Sequence, residues 1–191
     1  MHAAEHRALR ELAATAGQMA RHWRALHGRG LGAGMLPAGA DDATRLVREI
    51  RALAAARGLA VGPAARTAGA SLAGARTGVG DRFLERNQAL RLAVLDAAHV
   101  ALLCDYTRAL AAVRGGDDEL SNELARWASR MRDHERVARG TVTDLAGEPD
   151  EAIAPVDASP LGRAAHGVSY AVGFAGELTD SVLGRPGPKR R

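Results

Sequence analysis

The sequence has few aromatic residues, a single cysteine and almost no lysine. Aromatic residues make up only 3% of its 191 residues, and almost no segment alternates apolar and polar residues as a half-buried strand would. These two deficits argue against a β-sandwich or a β-barrel. The apolar fraction is nevertheless 47%, so the core must be built from Ala, Leu and Val. This composition predicts an all-α protein whose helices pack at close range.

Cys104 is the only cysteine, so the chain can form neither an internal disulfide framework nor a thiolate metal cluster. The N-terminus lacks the apolar run of a signal peptide. No stretch reaches the ~18 uncharged apolar residues that are needed to span a bilayer. We therefore predict a cytoplasmic protein without a transmembrane segment.

Lys189 is the only lysine, and arginine supplies nearly all of the positive charge. The net charge of +4 is spread along the chain, where arginines alternate with acidic residues as they do on solvated helix faces. The sequence contains no basic helix face and no cluster of stacking aromatic residues. Strong nucleic-acid binding is therefore not expected, whereas peripheral contact with an anionic membrane surface is compatible with the charge.

The spacing of apolar residues predicts five helical segments. Four of them form an antiparallel up-down four-helix bundle over residues 1–148. These four helices are predicted at about residues 3–27, 41–58, 81–114 and 117–146. A linker at 149–160 leads to an appended C-terminal amphipathic helix at 161–184, and a disordered basic tail follows at 185–191.

The first helix carries an apolar stripe that we expect to face the core. It comprises Leu9, Leu12, Ala16, Met19, Trp23 and Leu26. The second helix is predicted to begin at an N-cap, Asp41 or Asp42, because Pro37 and Gly39 are typical of a preceding loop.

The third and fourth helices carry the most informative pattern. Their predicted core stripes are Leu92, Leu95, Leu102, Tyr106, Leu110 and Val113, then Leu120, Leu124, Trp127, Met131, Ala138, Thr141 and Leu145. Histidine interrupts each stripe once, at His99 and at His134. If the chain turns at Gly115 and Gly116, His99 lies opposite Arg132 and within about one turn of His134. The pattern thus predicts two imidazoles at one level of a helical core.

Two imidazoles with nearby carboxylates form a suitable ligand set for iron or another transition metal. The candidate carboxylates lie one turn from His99, beside His134, or on the first helix. The predicted metal ligands are His99, His134, Asp96, Glu135, Asp133 and Glu5. One alternative is that each histidine forms a hydrogen bond within the core, to Tyr106, to Thr107 or to the other histidine. The other is that the histidines are exposed at the surface because the predicted register is wrong.

A family resemblance runs through the same helix pair. Segment 89–142, with His99 and Tyr106 on one helix and the run 132–136 on the next, resembles the helix pair of ferritin-like bundle proteins. Di-iron members of that superfamily place a glutamate seven residues before a tyrosine, and a Glu-x-x-His pair on the next helix. His99 occupies the position of that glutamate, and Met131 stands where the second motif has glutamate. The resemblance implies a ferritin-like bundle whose di-iron site is degenerate or rebuilt around histidine.

The sequence contains no recognisable Ser/His/Asp triad, no His-Glu-x-x-His motif and no dinucleotide-binding motif. We therefore predict neither catalytic residues nor residues that bind an organic cofactor. The first hypothesis is a ferritin-like protein that binds a transition metal through core histidines, in storage, redox chemistry or bacterial stress protection. The second is a non-catalytic helical scaffold that forms a homo-oligomer through its C-terminal helix. A third, a ligand sensor with an Ala-lined pocket, depends only on the scarcity of bulky side chains.

Overall fold

The computed structural model describes residues 3–59, 84–113, 118–164 and 166–168, and this part of the chain is helical, without a strand. The helices are α1 (Ala3–His27), α2 (Met35–Ala56), α3 (Arg86–Ala112), α4 (Asp118–Leu145) and the short α5 (Pro149–Ala152). The prediction of an all-α protein is thus confirmed for the described ranges. None of the helices in them combines the length and the hydropathy needed to cross a membrane.

Helices α1 and α2 pack against each other after a tight glycine-rich connection. Gly30 and Gly32 adopt φ angles of 82° and 58°, which glycine reaches at little cost. The predicted stripe of α1 is confirmed, because each of its six residues is at most 1% exposed. Where the two helices meet, a Cβ atom at position 39 would collide with the ring of Trp23. Gly39 therefore permits the close approach of α2 to α1.

Helix α2 begins at Met35, ahead of the predicted start at Asp41 or Asp42. The predicted loop around Pro37 is wrong, because a proline fits in the first turn of a helix, where the N–H groups have no intrahelical acceptor. Asp42 therefore lies inside α2 as a buried residue. It is available for contacts with another helix and does not cap its own.

Helix α3 packs against both α1 and α4, and α2 also contacts α4, so the four long helices enclose one core. The stripe predicted for α4 is confirmed from Leu120 to Ala138. Its buried members are Leu120, Leu124, Trp127, Met131 and Ala138. Thr141 and Leu145 are half-buried.

The predicted core stripe of α3 is wrong. Leu95, Leu102, Tyr106 and Val113 are 60%, 64%, 53% and 84% exposed. Most of the buried residues of α3 are small, although Leu90, Val94 and Leu103 are buried as well. The small ones include Ala89, Ala93, Ala97, Val100, Cys104, Thr107 and Ala111. At about 100° per residue, these residues lie on the opposite side of the helix from the predicted stripe. Because α3 is apolar on both sides, the spacing of its large residues did not identify the buried side.

The segment predicted as a linker packs against the start of α3. Glu85 caps α3 in a capping box with Gln88, and it pairs with Pro155 in an isolated bridge. Helix α5 lies within this segment, and Ala152 and Val156 are buried. Residues 160–164 and 166–168 are helical, whereas the remainder of the predicted C-terminal helix, the basic tail and the turn at 114–117 lie outside the described residues.

Candidate functional site

The predicted metal ligands of α3 point in different directions. His99 is exposed on the outer side of the helix. Asp96 is buried, and its carboxylate lies 2.5 Å from Nδ1 of His22 on α1. Arg132, the expected neighbour of His99, instead pairs with Asp105. The expectation that His99 and His134 share one level of the core is therefore wrong.

The remaining candidate ligands are also dispersed. Glu5 is buried near the start of α1, Asp133 pairs with Arg136 and Glu135 pairs with Arg139. In the four described ranges, no three His, Cys, Asp or Glu side chains form a group that could hold a metal ion. Metal binding by these residues stays a prediction.

His134 forms a polar contact that the sequence did not indicate. Its Nε2 lies 2.9 Å from Oδ2 of Asp42, and Nε of Arg130 donates to the same oxygen at 2.5 Å. The imidazole also packs edge-on against Trp23, with ring centroids 6.1 Å apart. Burial raises the pKa of Asp42, but hydrogen bonds and positive charge from His134 and Arg130 outweigh it, so the pKa is lowered. The alternative of a hydrogen-bonded histidine is thus found for His134, with a partner on α2.

A second polar contact joins α2 to α4, closer to the C-terminal end of α2. Glu49 accepts hydrogen bonds from Nε1 of Trp127 at 2.7 Å and from Arg126 at 2.9 Å. Burial raises the pKa of Glu123, and its hydrogen bond to Glu49 raises it further. Burial also acts to raise the pKa of Glu49. The hydrogen bonds that Glu49 accepts from Glu123 and Trp127 outweigh this effect, so the pKa of Glu49 is lowered. These two carboxyl groups, like Asp42, hold helices together.

The lone cysteine has the environment of a core residue. Cys104 is fully buried, and burial raises the pKa of its thiol to about 12. Because the thiolate is the reactive form, this cysteine is chemically inert near neutral pH.

The most distinctive surface is the outer side of α3. We define the α3 outer face as Leu92, Leu95, His99, Leu102, Tyr106, Ala109 and Val113. These residues recur at alternating steps of three and four, as the a and d positions of a heptad do. Single exposed apolar residues are ordinary, but a continuous exposed stripe marks an interaction surface. The same spacing that was expected to face the core thus faces solvent.

A groove opens at the N-terminal end of the α3 outer face, between α3 and α4. Its volume is about 700 Å³. The apolar residues that line it are Leu84, Leu92, Val94, Leu95 and Val142, and Arg91 and Arg139 also line it. Toward the other end of the same face, the side chains of Leu102 and Tyr106 are exposed. The α3 outer face therefore has a recess near one end and exposed bulky side chains near the other.

Comparisons with known proteins add no assignment to this geometry. No family model matches the chain, and neither the curated proteins nor the solved structures give a match.

Proposed function

We propose that this protein is a non-catalytic helical interaction protein whose α3 outer face binds an amphipathic helix of another chain. The observation that carries this proposal is the heptad-spaced stripe in which Leu95, Leu102 and Tyr106 are each more than half exposed. Full burial of one such side chain contributes about 1.5–3 kcal/mol. Helices that bind in grooves are recognised through apolar residues at this spacing.

The architecture we propose for it is an antiparallel four-helix bundle. This arrangement is supported by contacts whose residue numbers rise along one helix while they fall along its neighbour. Along α2 and α4, Asp42 contacts His134 and Glu49 contacts Trp127. Between α1 and α2, the C-terminal part of α1 meets the N-terminal part of α2, where Arg24 pairs with Asp41.

A synthetic amphipathic peptide tests the proposed function. The probe carries leucine at the a and d heptad positions, glutamate and lysine elsewhere, and a fluorophore at one end. We expect saturable binding to the full chain, measured by fluorescence anisotropy. In the L95K/L102K variant the affinity should fall at least about tenfold, because two charges then occupy the centre of the apolar stripe.

The matched control changes an exposed apolar residue elsewhere. Val137 on α4 is 54% exposed and is not part of the α3 outer face. The V137K variant should bind the peptide as the parent does. Equal binding by the parent and L95K/L102K, or no binding by either at concentrations where the parent is monomeric, contradicts the proposed function.

The ferritin-like metal hypothesis makes a different prediction. It requires near-stoichiometric iron, or another transition metal, in protein purified without an affinity tag. The metal should be absent from the H99A/H134A variant. Elemental analysis of both proteins measures this directly, and metal retained by the parent alone would favour that hypothesis over a purely structural role for His134.

A further inference from the structure

We propose that the helix bound by the α3 outer face is α3 of a second copy of this chain, packed antiparallel across a twofold axis near Ala98. This inference rests on the proposed function and names its partner. Three independent features of α3 support it: the shape of its outer face, the order of charges beside that face, and the small residue at its centre.

The shape of the face is self-complementary only in the antiparallel direction. The groove lies beside Leu92 and Leu95, and the exposed side chains of Leu102 and Tyr106 follow farther along the helix. When two copies of α3 run in opposite directions about Ala98, Leu102 of each copy reaches the level of Val94 of the other, which lines the groove together with Leu92 and Leu95. Tyr106 of each copy then reaches the level of Leu90, between Gln88 and Leu92, which both line the groove. A twofold interface of this kind uses the same surface on both copies.

The charges beside the α3 outer face follow the same symmetry. Arg91, Ala98 and Asp105 are one heptad apart at the g position, which directly precedes each a position of the stripe. In antiparallel helix pairs the g positions of the two helices face each other. Rotation about Ala98 therefore brings Arg91 of each copy to Asp105 of the other, forming two equivalent ion pairs.

The side chains that would form these ion pairs are accessible. Arg91 is exposed, and the side chain of Asp105 is 29% exposed. Asp105 already pairs with Arg132 and, at 3.8 Å, with Arg108 of its own chain, but a carboxylate has four lone-pair sites and can accept from a further arginine. A parallel pair would instead set g against the e positions, where Asp96 and Leu103 are buried in the core. The charge pattern thus favours the antiparallel arrangement.

The residue nearest the proposed axis is small. Ala98 is half-buried, and its methyl group allows two helices to approach closely at the point where they cross. His99, one residue from the axis, then lies within the apolar stripe at a level midway between Leu95 and His99 of the second copy.

The first experiment is sedimentation velocity of the full chain over a range of concentrations. The parent should form a particle of about twice the 19.9 kDa of one chain. The L95K/L102K variant should be monomeric, with helical content by circular dichroism equal to that of the parent. The V137K variant should dimerise as the parent does.

Two charge variants test the direction and alignment of the helices. R91D and D105R each place like charges at both proposed ion pairs, so each alone should dimerise at least about tenfold more weakly than the parent. When the two variants are mixed, the new carboxylate at position 91 meets the new guanidinium at position 105, and the two native residues also pair. The mixture should therefore form a heterodimer with near-parental affinity, measured with a fluorophore on one variant.

Cross-linking measures the position of the axis. A98C should give a covalent dimer with a short bis-maleimide reagent, because the two copies of position 98 face each other. A109C is the matched control, since the two copies of position 109 would lie about 30 Å apart along the helix axis. Cys104 is buried and its thiol pKa is raised, so the native cysteine should give little background.

The outcomes separate this inference from the proposed function. A parent that stays monomeric at every concentration but binds the amphipathic peptide overturns self-association and leaves the proposed function intact. Dimerisation with no heterodimer from the mixture, or with cross-linking at 109 and not at 98, overturns the antiparallel alignment. A dimer that persists in L95K/L102K, together with no peptide binding, overturns both.

Discussion

Helices α1 and α3 divide their apolar residues in opposite ways. On α1 the large residues, such as Leu12, Met19 and Trp23, are buried. On α3 small residues such as Ala93 and Ala97 are buried, and large residues such as Leu102 are exposed. The side of a helix that faces the core is therefore not always its most hydrophobic side. Where both sides are apolar, the small side chains allow closer packing.

The largest expected effect compares one aromatic residue from each helix. Trp23 is fully buried and Tyr106 is 53% exposed. We expect W23A to lower the free energy of unfolding by about 3–5 kcal/mol, because it leaves a large cavity. Y106A should change it by less than about 0.5 kcal/mol in the dilute monomer. Urea denaturation at low protein concentration measures both, and similar losses in the two variants would contradict the division between the helices.

The same division explains which parts of the fold could be predicted from the sequence. The stripes of α1 and α4 were predictable because each helix has one apolar and one charged side. The buried side of α3 was not predictable, since that choice depends on its packing against α1 and α4. The partner of His134 was not predictable either, because the sequence offers Asp41 or Asp42 as an N-cap and the contact joins residues that are distant in the sequence.

A second comparison concerns two aspartates. Asp42 is 6% exposed and bonds to both His134 and Arg130, whereas Asp105 pairs with Arg132 at the surface. We expect D42A to lower the free energy of unfolding by about 2–3 kcal/mol, because His134, whose side chain is only 15% exposed, and the half-exposed Arg130 both lose their hydrogen-bond partner. D105A should cost at most about 1 kcal/mol. Equal losses would show that burial does not distinguish the two contacts.

The lowered pKa of Asp42 gives this contact a pH dependence. The ionised carboxylate stabilises the folded state at any pH above its unfolded pKa of about 3.9. This contribution falls as the pH falls through the lower pKa of the folded state, because the proton then binds the unfolded chain more readily. The difference in unfolding free energy between the parent and D42N should therefore shrink as the pH falls below about 4. A constant difference would contradict the assignment.

A third comparison concerns a small buried residue and a large exposed residue of α3. Enlarging the first should destabilise the fold more than truncating the second. Ala97 is fully buried and Leu102 is 64% exposed. We expect A97L to lower the free energy of unfolding by about 1–3 kcal/mol, because the larger side chain must fit where α3 approaches its neighbours. L102A should change it by less than about 0.5 kcal/mol in the dilute monomer. If L102A proves the more damaging variant at low concentration, the assignment of the two sides of α3 is incorrect.

The smallest effect on the isolated chain is expected for the α3 outer face, where the consequence depends on concentration. If a second copy covers Leu95 and Leu102, association stabilises the folded state by mass action, so Tm of the parent should rise with protein concentration. L95K/L102K should match the dilute parent in Tm and stay constant as concentration increases. Differential scanning calorimetry over a range of concentrations measures both. A parent Tm that does not change with concentration would mean that the apolar stripe serves a different partner, whereas a variant that melts early when dilute would place these leucines in the core.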